Sequence, residues 1–80
     1  MSEYRSAFRF RTNRLAKIYP NSGRAIECFV RNLSTKGACL EVADQEQVSD
    51  NFFLIIQGMS DRFRCRVVWQ NRNVIGVEYL

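Results

Sequence analysis

Eighty residues, about 9.4 kDa, make one small domain, and an ordinary balance of 46 % hydrophobic and 25 % charged residues excludes a disordered chain. The net charge is +4 and histidine is absent, which removes the Ser-His and Cys-His nucleophile pairs and the commonest general base near neutral pH. Three cysteines without histidine cannot complete a four-ligand zinc site, and no apolar run approaches the roughly 18 residues of a membrane helix.

The start, Met1-Ser2-Glu3-Tyr4-Arg5, lacks the apolar stretch of a signal peptide, so the expectation is a soluble, cytoplasmic chain that is not an enzyme. Residues 1–12 read as a flexible, arginine-rich leader and residues 13–80 as the folded unit. Residues 13–19 alternate, with Leu15, Lys17 and Tyr19 on one side and Ala16 and Ile18 on the other. Pro20-Asn21-Ser22-Gly23 is a turn, because Pro fixes φ and Gly accepts φ > 0. The strand at 25–31 groups Ile26, Cys28 and Val30; the strand at 37–43 groups Ala38, Leu40 and Val42. Residues 44–51 are polar and read as a loop or a short helical turn.

The strand at 52–57 turns Phe52, Leu54 and Ile56 inward. That leaves Phe53 and Ile55 outside, as a surface for a partner or for self-association, unless the 44–51 loop covers them. After Gly58-Met59-Ser60-Asp61, residues 62–70 set Phe63, Cys65, Val67 and Trp69 against Arg62, Arg64, Arg66 and Val68. Simple alternation thus assigns Trp69 to the core or to a wall at the barrel rim. Asn71-Arg72-Asn73 makes a hairpin into 74–80, where Ile75, Val77 and Tyr79 share a side. The isolated cysteines, Cys28, Cys39 and Cys65, read as small core residues. Six short strands with regular turns give an all-β fold, a small six-stranded antiparallel barrel, since closure removes edges that 80 residues could hardly cover.

Ten of the twelve basic residues are arginine. The guanidinium is a planar five-donor fork suited to phosphate, carboxylate and base edges. Two patterns concentrate this chemistry: Arg5-x-x-x-Arg9 in the leader, and Asn32-x-Ser34-x-x-Gly37 between two strands. Asn and Ser bond the backbone locally, and Gly permits a tight turn, so the second pattern alone describes a turn.

Taken in order, the two motifs resemble the signature of the PilZ domain family, R-x-x-x-R followed by [D/N]-x-S-x-x-G. The likeness continues through Gly37-Ala38-Cys39-Leu40, Cys65-Arg66-Val67-Val68-Trp69 and Ile75-Gly76-Val77-Glu78-Tyr79. The resemblance implies a six-stranded barrel that binds the bacterial second messenger cyclic di-GMP and signals to a target protein, with no cofactor and no metal. It implies that Arg5 and Arg9 clamp the ligand while Asn32, Ser34 and Gly37 receive it. Arg11, Arg31 and Trp69 follow as secondary contacts. Tyr4 stands where many members of the family carry a further arginine, which favours one bound molecule. The other readings are a degenerate domain of this type acting only through protein contacts, and a small basic nucleic-acid-binding barrel. Nucleic acid fits less well, because few aromatics share a face with the arginines.

Overall fold

The computed structural model describes residues 9–80. Successive side chains on a strand point to opposite faces. Strands that alternate apolar and polar residues can therefore bury one face only by joining around a common interior. The strands are β1 (Arg9–Pro20), β2 (Ile26–Ser34), β3 (Gly37–Glu41), β4 (Asn51–Ile56), β5 (Arg62–Asn71) and β6 (Val74–Tyr79). They form a closed barrel in the order β1-β2-β3-β6-β5-β4, with every neighbouring pair antiparallel. A single 3-10 turn, Gln45–Gln47, lies between β3 and β4; the Asp44 carboxylate caps it by accepting from the Glu46 amide.

The interior is the set the alternation selects: Ala16, Ile18, Cys28, Val30, Leu40, Val42, Phe52, Leu54, Ile56, Cys65, Ile75 and Val77. No buried polar or charged residue interrupts it among the described residues. Phe53 and Ile55 stay outside, so the 44–51 segment does not cover them.

Three departures from the sequence reading share a cause or a neighbourhood. The first strand begins at Arg9, so residues 9–11 of the expected leader already pair with β2. The register slips between Arg11 and Arg14 on β1 and between Val30 and Asn32 on β2. It slips again between Val67 and Trp69 on β5. A bulge adds one residue to one strand, and with a period of two everything beyond it changes face. Trp69 therefore leaves the inward set of Cys65 and Val67, pairs with Gly76 and is 42 % exposed. Cys39 also stands outside the core cluster, half-buried between Ala38 and Leu40.

The two core cysteines are held neutral. Burial, with a smaller contribution from Cys65, pushes the Cys28 thiol up to about 12; burial pushes Cys65 up to about 12. Ionisation then favours the unfolded chain. Stability is complete below the ordinary thiol value of 9.0 and is lost as pH rises toward 12. Urea unfolding across that interval is expected to show a fall that is shallower in a Cys28→Ala/Cys65→Ala variant. Leu54, fully buried, tests the core directly: Leu54→Ala is expected to cost about 2–5 kcal/mol in the same assay.

Candidate functional site

Asn32 and Ser34 lie at the end of β2 and Gly37 at the start of β3, with Thr35 and Lys36 turning between them. The Ser34 hydroxyl accepts from the Lys36 and Gly37 amides, each at 3.1 Å, and donates to the Gly37 carbonyl at 3.2 Å. A hydroxyl has one proton and two lone pairs, so its whole capacity is spent inside the turn. Gly37 is required by contact rather than by handedness. The glycines with positive φ among the described residues are Gly23 and Gly58. A Cβ on Gly37 would instead overlap the Val77 carbonyl oxygen, where β3 lies against β6. The Tyr79 amide donates to the Lys36 carbonyl at 2.9 Å and ties the last strand to the same turn.

Backbone register arranges the remaining candidates. Arg11 pairs with Asn32, Asn32 with Cys39, Cys39 with Gly76 and Gly76 with Trp69. One transverse row thus crosses β1, β2, β3, β6 and β5. Three strand spacings separate Asn32 from Trp69, about 14 Å along the barrel surface. Between them in the register stand a cysteine and a glycine. The Trp69 indole lies over Gly76, since a Cβ there would overlap its Nε1 and Cε2 atoms. Beside this row, Arg9 pairs with Ser34, and Gly37 with Glu78, which pairs with Arg66. The start of β1 therefore pairs through Arg9 and Arg11 with the Asn-x-Ser motif. Arg5 lies outside the described residues.

The flanking charges are partly spent. Arg31, at the β2 irregularity, reaches the Glu41 carboxylate at 3.2 Å, and Arg66 pairs with Glu78. Both pairs are about half exposed, a setting in which an ion pair contributes about 0–1 kcal/mol and opens readily. The row itself holds no carboxylate. It offers an indole laid over Gly76 at one end, the Asn32 amide at the other and half-buried Cys39 between. Such a surface suits a planar, polar, acceptor-rich group. No group of three or more His, Cys, Asp or Glu able to hold a metal occurs among the described residues.

Sequence reading singled out Asn32, Ser34 and Gly37 but not Cys39 and Gly76, which the register places between Asn32 and Trp69. A glycine inside a strand was the available signal, because it marks close approach of another group.

A family model described as the PilZ domain matches residues 3–80. The chain belongs to the PilZ domain family. Both motifs and all six strands of this PilZ domain fall within the match. The family as a whole is associated with cyclic di-GMP binding. No curated protein sequence matched the chain. No helix among the described residues is long and apolar enough to cross a membrane.

The two motif residues separate by mechanism. Gly37→Ala pushes on fixed backbone and is expected to cost about 1–3 kcal/mol in urea unfolding. Ser34→Ala removes turn hydrogen bonds, leaves two amides to water and is expected to cost about 1 kcal/mol. A cost for Ser34→Ala above that for Gly37→Ala would contradict the assigned contacts.

Proposed function

We propose that this PilZ domain is a non-enzymatic receptor for cyclic di-GMP that passes the signal to a target protein in the bacterial cytoplasm. The observation that carries this reading is the register that joins Arg9 and Arg11 to Ser34 and Asn32 and leads past Cys39 to the Trp69 indole over Gly76.

The ligand's chemistry fits that order. Guanine presents N7 and O6 as adjacent acceptors, which an arginine fork bonds bidentately. Arg5 and Arg9 supply such forks for guanine and for the phosphodiester oxygens. Asn32 offers an amide to a base edge, with Arg11 beside it in the register. The indole of Trp69 supplies a face for a purine. Ser34 and Gly37 act through the shape of the turn: one staples it, and the other lets β3 approach β6. Arg31 adds positive charge when its pair with Glu41 opens. One ligand molecule per chain matches the single row.

Isothermal calorimetry tests the reading. Cyclic di-GMP is expected to bind, with cyclic di-AMP and GTP much weaker. Arg9→Ala and Asn32→Ala are each expected to weaken binding about 5- to 150-fold, the range of one lost bidentate contact, with the circular dichroism spectrum unchanged. No heat from the wild-type chain at millimolar ligand would leave only the degenerate, ligand-blind reading.

A further inference from the structure

A second organised surface lies over β4 and the adjoining parts of β1, β2 and β5. β4 is the strand that the motif row does not cross, and on the shared strands the two surfaces use different residues. On the outer face of β2, β1 and β4 stand Phe29, Leu15, Tyr19, Phe53 and Ile55, each about 40 % exposed. Register makes them contiguous: Tyr19 pairs with Phe53, Leu15 with Phe29, and Lys17 with Ile55. A pocket of about 280 Å³ opens in this face, lined by Leu15, Ala16, Lys17, Glu27, Ile55 and Gln57. That is below the size of ordinary small-molecule sites and suits an inserted side chain.

Charge says what the face receives. On β5, Arg64 pairs with Phe53 and Arg62 with Ile55. Both guanidiniums lean onto the Phe53 ring, at 4.9 Å for Arg62 and 6.0 Å for Arg64. Neither joins an ion pair among the described residues; the pairs found there are Arg31–Glu41 and Arg66–Glu78. Lys17 adds a third cation in the middle. Against these the face holds Glu27, opposite Lys17, and at its far flank Glu41, already paired with Arg31. A second copy of this chain would set these cations against its own. The closed barrel leaves no edge for strand addition, so a partner is held by side chains alone.

We infer that the β1–β4 face, with Phe53, Ile55, Arg62 and Arg64 at its centre, docks a protein segment that is both apolar and acidic. An apolar side chain enters the pocket beside Ile55, and a carboxylate meets Arg62 and Arg64. Pocket and guanidiniums lie about two strand spacings apart, roughly 10 Å, which is three residues of an extended segment. The aliphatic lining by Leu15 and Ile55 favours a protein side chain over a nucleobase, which takes flat aromatic walls.

The inference does not depend on cyclic di-GMP, and its test contains none. Phage-displayed random dodecapeptides are selected on the full chain. The enriched peptides are expected to carry an apolar residue with Asp or Glu three positions away. Synthetic copies are expected to shift the amide resonances of Lys17, Phe53, Ile55, Arg62 and Arg64. Arg62→Gln/Arg64→Gln and, separately, Ile55→Ser are expected to weaken them at least tenfold with folded spectra retained. Several results overturn the inference: no enrichment, enriched peptides without excess acid, or binding unaffected by both variants. Phosphatidylglycerol vesicles or oligo-dT binding this face in place of peptides would overturn it as well.

Discussion

A strand in a closed barrel has no neutral position, because each residue is either packed inside or facing water. In this chain the side of each functional residue depends on where the count of two is broken. Without the slips near Arg31 and at Val68, Asn32 would take the inward phase of Val30, and Trp69 that of Val67. An asparagine in that interior would lack partners, and an indole would overfill a space already closed by Phe52, Leu54 and Ile75. The bulges let one sequence serve a dry core at one level and a polar outer row at the next.

The same constraint separates two kinds of motif residue. Asn32 is carried outward, where its amide is available. Ser34 and Gly37 are absorbed by the turn, one through three hydrogen bonds and the other through the room it leaves for the Val77 carbonyl. A short signature can therefore mix a residue whose side chain is left available with residues whose groups hold the turn. The barrel also builds two outer surfaces from different residues. The motif row and the apolar, arginine-rimmed face share β1, β2 and β5, the row at Arg11, Asn32 and Trp69 and the face at Leu15, Phe29, Arg62 and Arg64.

Most of the fold was legible because alternation is an unambiguous code where it runs unbroken. The inward sets Ile26, Cys28 and Val30, then Phe52, Leu54 and Ile56, follow from spacing alone, as does the exposure of Phe53 and Ile55. What failed lay beyond a bulge or at a strand's start. Val67-Val68-Trp69 reads as continuous β-sequence, and no residue type there announces an extra residue. Cys39 is small and apolar enough to read as core, yet it occupies the outward position between Ala38 and Leu40. The start of β1 at Arg9 was hidden because Arg9-Phe10-Arg11 draws its strand character from pairing with Asn32, Leu33 and Ser34, far along the chain. The site was legible as a set of donors. Its layout as a row required register, which only the closed sheet supplies.

The central claim is that the outward phase after Val68 makes Trp69 the far wall of the ligand surface that begins at Asn32. Trp69 is the sole tryptophan, so its fluorescence reads that wall alone. Titration with cyclic di-GMP is predicted to give a saturable change in indole emission that parallels the calorimetric isotherm and disappears in Asn32→Ala. Ligand binding by calorimetry with an indole spectrum that never moves would contradict the account.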